Sequence, residues 1–134
     1  MTNKFKNDLK NGKEYEKKAL LHIQQKYPKA YIIDGYCLDW DIYIPELKIG
    51  VEVKSDAQYK LTGNFYVEYS CNGKPSGIAT TKADIYYVYL DKLYIIKTKD
   101  LKDKCRKYIN TNRDKKGGDY MASKGIILPI NELL

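Results

Sequence analysis

A chain of 134 residues, 43% hydrophobic and 31% charged, suits one domain with one core, residues 1–134. The formal charge of +7 fits a polyanionic partner, and fits equally well a lysine excess that only keeps the chain dissolved. Cys37, Cys71 and Cys105 are odd in number, widely spaced and without a CxxC pair, so neither a zinc site nor a disulfide framework is indicated, and reduced, cytoplasmic thiols fit best. Residues 1–9 are polar and lysine-rich with no apolar h-region, and no stretch is long and apolar enough for a membrane span, so no membrane association is expected.

In chain order, residues 11–27 read as a helix, with Tyr15, Ala19, Ile23 and Tyr27 recurring at i+4. Asn11 is its expected N-cap and Pro28 its stop. Residues 31–37 and 41–44 read as strands. After a turn at 45–48, residues 50–54 return, so the last two pair as a hairpin. Residues 64–71 alternate and are rich in aromatics. A loop at 72–77 leads into a short helix expected over 78–82, with Ser76 as its cap. Residues 84–90 and 92–97 read as a tight hairpin. Thr98 is placed to cap a basic helix to about residue 109, residues 110–118 form a basic loop, and 125–129 make a last short strand. The class is mixed α/β, a central sheet flanked by helices.

The chemistry concentrates at Val51-Glu52-Val53-Lys54. Strand alternation puts Glu52 and Lys54 on one face and the valines on the other. A hairpin with the preceding strand brings Asp41 near Glu52, with Asp39 two residues earlier as a rival for the same place. Two carboxylates this close repel unless a cation lies between them, and hard oxygen ligands suit Mg²⁺. A metal-bound water becomes a nucleophile, and Lys54 can steady charge on a phosphoryl group. Glu-x-Lys alone is also a common solvated strand face. What distinguishes it here is the second acid at hairpin distance and the valine-rich strand that would bury it.

With those residues in place, the chain resembles the PD-(D/E)xK nuclease superfamily in its restriction-endonuclease-like form. Asp41 matches the first acid, Glu52 and Lys54 the ExK half, and Glu14 the acid of the preceding helix. Trp40 stands where the motif has proline. The α-β-β-β-α-β order of the family follows the elements above over roughly residues 11–97, leaving 98–134 as a basic C-terminal helix and loop. The resemblance implies a restriction-endonuclease-like core and a Mg²⁺-dependent DNA endonuclease, with Mn²⁺ as a substitute. It implies metal ligands Asp41, Glu52 and the Val53 carbonyl, a water-positioning Lys54, and Glu14 acting directly or through water. Small members include Holliday-junction resolvases and phage-type nucleases, so the resemblance also implies branched DNA as a substrate, a homodimer, and the cytoplasm of a bacterial or phage-infected cell. Glu14 reads equally well as the far end of a capping box begun at Asn11.

Further candidates lie outside the motif. Ser76, Thr80, Thr81 and Lys82 could meet a phosphate at a glycine-led helix start. Lys102, Lys104, Arg106, Lys107, Arg113, Lys115 and Lys116 make the C-terminal third basic, and of these Arg113, Lys115 and Lys116 are read as DNA contacts. Asn64 and Glu68 are weaker candidates on the next strand. The fourteen tyrosines suggest base stacking less than sheet packing. The rival readings are a nucleic-acid-binding module that keeps the fold without the chemistry, and an interaction domain for an acidic protein.

Overall fold

The computed structural model describes residues 3–33, 39–56, 59–117 and 122–134, with side chains from Gly12 onward. The protein is mixed α/β, in three layers. Helix α1 (Asn3–Gln24) covers one face of a five-stranded sheet, and a four-stranded sheet with helix α3 (Thr98–Arg106) covers the other.

The first sheet has strand order β1-β2-β3-β6-β7, from β1 (Tyr31–Ile32), β2 (Ile42–Ile44), β3 (Ile49–Ser55), β6 (Ile85–Tyr89) and β7 (Leu93–Lys97). Strands β1, β2 and β3 form an antiparallel meander, β3 and β6 run parallel, and β6 and β7 form a hairpin. The parallel step needs a crossover. Residues 56–84 supply it through a single helical turn α2 (Tyr59–Thr62), β4 (Asn64–Cys71), β5 (Lys74–Pro75) and a 3₁₀ turn at Gly77–Ala79. Strands β4 and β5 join β8 (Asp114–Gly117) and β9 (Ser123–Pro129) in the second sheet, ordered β5-β4-β9-β8.

Two apolar clusters explain why β6 reads as an unbroken apolar run. Tyr86 and Val88 point into a core shared with Phe65, Val67, Leu101 and Leu128, whereas Tyr87 points the other way, among Ala19, Ile23, Ile42 and Val51. A strand buried on both faces has no polar side to alternate with. Strand β3 turns Val51 and Val53 toward α1, so Glu52 and Lys54 occupy the opposite face.

Several expected elements differ. Helix α1 begins at Asn3, eight residues before the expected cap, because residues 3–11 contain no proline or β-branched residue and Gly12 is tolerated inside the helix. Asn11 is therefore no cap, and Glu14 is not the third residue of a capping box. The helix expected over 78–82 is only the 3₁₀ turn at Gly77–Ala79. Ser76 makes no side-chain cap and donates its hydroxyl to Glu68 instead. Gly77 has φ +52°, and a Cβ there would stand 2.3 Å from the Glu68 carbonyl oxygen. Helix α3 starts at Thr98 itself, without a side-chain cap, and ends at Arg106. The expected loop over 110–118 contains strand β8, held by pairing with β9. The expected single sheet is two. The far end of the strand expected over 31–37, including Cys37, and the end of the expected loop at Gly118 lie outside the described residues. Cys71 and Cys105 are free thiols. Among the described residues no helix is long and apolar enough to cross a membrane.

Candidate active site

Asp41 sits at the mouth of the β2–β3 hairpin. Its N–H donates to the Val51 carbonyl at 2.9 Å and its carbonyl accepts from Ile33 at 2.9 Å, so its backbone is fixed on both sides. Ile42 pairs with Val51, and one further step in that register opposes Asp41 to Glu52. The Val53 N–H donates to Asp41 Oδ2 at 2.8 Å, which ties the first acid to the backbone of the strand carrying the second. The side chains of Asp41 and Glu52 are near enough for the Asp41 charge to act on Glu52, and two acids so placed repel unless a cation offsets them.

Glu52 is largely buried, its side chain 13% exposed. Burial, then the charge of Asp41, pushes its carboxyl up to about 7, while Lys54 and the Thr81 hydroxyl partly oppose the rise. Lys54 Nζ lies 3.8 Å from Glu52 Oε2, and the Lys54 side chain is 48% exposed. Thr81 Oγ1 lies 3.3 Å from Glu52 Oε1 and 3.2 Å from the Asp39 carbonyl, able to donate to either, and accepts from the Ala83 N–H at 3.1 Å. Tyr86, opposite Glu52 in the parallel register, is buried, and its phenol is pushed up by burial first and by the Glu52 charge next.

A third acid comes from α1, and it is Glu16. Its carboxyl contacts Asp41 and is raised by burial and then by the Asp41 charge, with Lys13 opposing. Glu16 precedes the buried Ala19 and Ile23 by three and seven residues, which puts it on the helix stripe turned toward the sheet. Glu14 is two residues away, on the far side of the helix, and is exposed. Asp39 lies apart from this acid chain. Its carboxylate is 4.0 Å from Lys82 Nζ, and both groups are substantially exposed.

Trp40, in the place where the motif has proline, uses its ring to cover Gly50 and stack on Tyr43, with centroids 5.4 Å apart. A Cβ on Gly50 would lie 2.4 Å from the indole. Gly50→Ala is therefore expected to destabilise the protein by about 1–3 kcal/mol through overpacking. Urea unfolding should show a lower midpoint with an unchanged slope, and an unchanged midpoint would refute this account of Gly50.

Of the phosphate-contact candidates, Thr81 and Lys82 adjoin the acids, whereas Ser76 is bound to Glu68 and Thr80 is exposed on the 3₁₀ turn. Arg113 is anchored at one guanidinium nitrogen, Nη1. It donates to Asn64 Oδ1 at 3.1 Å and to the Ile127 carbonyl at 3.0 Å, and lies over the Tyr108 ring. Lys115 and Lys116 are exposed on β8, in the second sheet. Lys104 and Lys107 both pair with Glu132. Of the described tyrosines, Tyr86 and Tyr87 are core residues and Tyr15 packs on Tyr89, whereas Tyr31 is 48% exposed. His22 Nδ1 contacts the Tyr87 hydroxyl at 3.1 Å.

Glu16, Asp41 and Glu52 form a chain of contacts and do not converge. Among the described residues no group of three or more His, Cys, Asp or Glu side chains is gathered to hold a metal ion as it stands. Mg²⁺ asks for less, since it keeps several waters and is commonly bound through one or two carboxylates. The donor set at Asp41 and Glu52 is all hard oxygen, and among the described residues Lys54 is the cation that offsets the Glu52 charge, an arrangement that suits such a metal ion. No family model matches the chain, and comparison with curated proteins and with solved structures finds no match.

Proposed function

We propose that the protein is a Mg²⁺-dependent DNA endonuclease built on a restriction-endonuclease-like core. The observation that carries the reading is the partly buried Asp41–Glu52 pair, its second member raised to about 7, with Lys54 3.8 Å from Glu52. A perturbed carboxyl beside a second acid and a lysine is an arrangement suited to metal-assisted phosphodiester hydrolysis. The surrounding order supports it: a helix, an antiparallel meander carrying Asp41 and the Glu52–Lys54 strand, then a parallel neighbour. The crossover departs from the resemblance, with one helical turn and a second-sheet hairpin where a longer helix is implied.

In this reading Asp41, Glu52 and the Val53 carbonyl hold the cation, and Glu16 takes the helix role first given to Glu14. The bound ion supplies charge neutralisation at the scissile phosphate and an acidified water. Lys54 donates to that water or to a non-bridging phosphoryl oxygen, favouring the state in which negative charge grows there. Thr81 holds the Glu52 carboxylate in place. Water would add to phosphorus and lose a proton to solvent as the bond to the leaving sugar oxygen breaks, and that oxygen would take up a proton from solvent.

The test is incubation of the folded protein with linear duplex, four-way-junction and single-stranded DNA in Mg²⁺ or Mn²⁺. Cleavage that stops on chelation is expected. Intact DNA in every case would sink the reading. A second reading, a nucleic-acid-binding module without chemistry, is favoured by the lack of a three-ligand cluster among the described residues. Calorimetry separates the two: DNA binding without divalent-ion binding at pH 8 selects the module. A homodimer belongs to the junction or duplex version of the nuclease, since two strands are cut at two sites, and the mass in solution decides it.

A further inference from the structure

One segment, residues 77–84, joins the candidate site to two clefts beside α3. At its centre Thr81 touches Glu52. At its start Ile78 and Ala79 line a cleft of about 250 Å³, completed by Tyr69, Ile109, Lys102 and Arg106. At its end Ala83 and Asp84 line a second, of about 410 Å³, which shares Lys102 and Arg106 and adds Lys99. The segment is fixed. Asp84 donates its N–H to the Gly50 carbonyl, accepts the Gly50 N–H on its carboxylate, and accepts the Thr98 N–H on its carbonyl.

The first cleft has an apolar interior and a cationic rim. Tyr69 presents an aromatic wall whose orientation is set by its hydroxyl, which donates to Asp114 at 2.5 Å. Ile109 remains 43% exposed beside it. Cys105 lies deeper, and burial followed by the Glu132 charge pushes its thiol up to about 12, so this wall stays neutral. Among the described residues Lys99 and Lys102 make no ion pair, and Arg106 pairs only with the exposed Asp103 of its own helix. Such an exposed pair contributes little to stability and is cheap to break.

We propose that this cleft receives an unpaired nucleobase of a single-stranded DNA segment, with the adjoining phosphates on Lys102 and Arg106, as the strand passes from the Glu52–Thr81 site along α3. The inference rests on the nuclease reading and names its substrate. A duplex keeps its bases stacked and would offer this apolar pocket nothing, whereas a single strand offers both a flat base and a flexible anionic backbone. The same path places the DNA contacts on α3, away from Arg113, Lys115 and Lys116 of the second sheet.

The experiment is fluorescence anisotropy of the full chain in EDTA, with a labelled oligothymidylate and a blunt duplex of equal length, over a salt series. Single strand should bind about tenfold tighter than duplex. Ala79→Trp, which fills the cleft from an exposed position, should cost about tenfold on single strand and leave duplex binding unchanged. The Lys102→Ala, Arg106→Ala double variant should flatten the single-strand salt slope by about 1.4, for two phosphate contacts. Lys115→Ala with Lys116→Ala should change neither quantity. Equal or better duplex binding, or wild-type behaviour of Ala79→Trp and the α3 variant in a protein that cuts DNA, overturns this inference alone. Failure of the wild type to bind or cut any DNA overturns the nuclease reading with it.

Discussion

Glu52→Ala and Lys54→Ala should each lower Mg²⁺-dependent cleavage by about 10²–10⁴-fold, while DNA binding in EDTA changes only a few-fold. The two losses have different causes. Glu52 shares the contact with Asp41 and is the buried carboxylate held by Thr81, so its removal takes away a ligand oxygen and the reason for a cation to settle there. Lys54 is half-exposed and bears on the reacting phosphate or water, so its loss should lower kcat more than metal affinity. Asp41→Asn is the suitable third variant, because alanine would also orphan the Val53 N–H that the Asp41 side chain accepts. The helix position discriminates further. Glu16→Gln should slow cleavage through its contact with Asp41, whereas Glu14→Gln, on the exposed side of α1, should leave it unchanged. Near-wild-type cutting by Glu52→Ala, in protein that melts as the wild type does, would remove the basis of the site.

The Glu14–Glu16 exchange shows where sequence reading lost resolution. The apolar stripe through Tyr15, Ala19 and Ile23 located the buried side of α1 correctly, and Glu16 lies on it at i−3 and i−7 from the buried pair. Asn11-Gly12 imitated a helix start, however, and a false start at Asn11 made Glu14 look special. The β2–β3 and β6–β7 hairpins were legible because each strand carries its own apolar pattern and each turn is short. Strand β8, with the sequence Asp-Lys-Lys-Gly, carries no such pattern. It is a strand because β9 supplies its ladder, a tertiary cause that no local window contains. Thr81 was legible as a hydroxyl near a glycine, but its meeting with Glu52, 29 residues away, depends on how the crossover returns to β6. For Arg113 the sequence offered only a charge, whereas the bonds of its Nη1 to Asn64 and the Ile127 carbonyl depend on how β4 and β9 come together.

Glu52→Gln should stabilise the metal-free protein at alkaline pH, an unusual outcome for a candidate catalytic substitution. The carboxyl rises from its ordinary 4.5 to about 7 on folding, so the native state holds a proton that the unfolded chain has released. Stability contributed by this group is therefore present at low pH, declines as pH climbs from 4.5 to 7, and is fully lost above 7. A shift of that size corresponds to on the order of 3 kcal/mol, and the 13% exposure of the side chain leaves little solvent screening to reduce it. Glutamine keeps the shape and abolishes the titration. Its melting temperature should exceed that of the wild type at pH 8.5 by several degrees, up to about 10 °C, with the gap closing toward pH 4.5. Saturating Mg²⁺ should invert the comparison, because binding to the ionised pair converts a repulsion into a ligand set and drives the proton off Glu52. The wild type should then gain stability at pH 8.5 and little at pH 5, while Glu52→Gln gains little at either. A Gln variant less stable than the wild type at pH 8.5 without metal would mean that Glu52 is ionised and satisfied by Lys54 and Thr81 alone. A cation would then have nothing to neutralise, and the Asp41–Glu52 pair would be an ordinary structural contact.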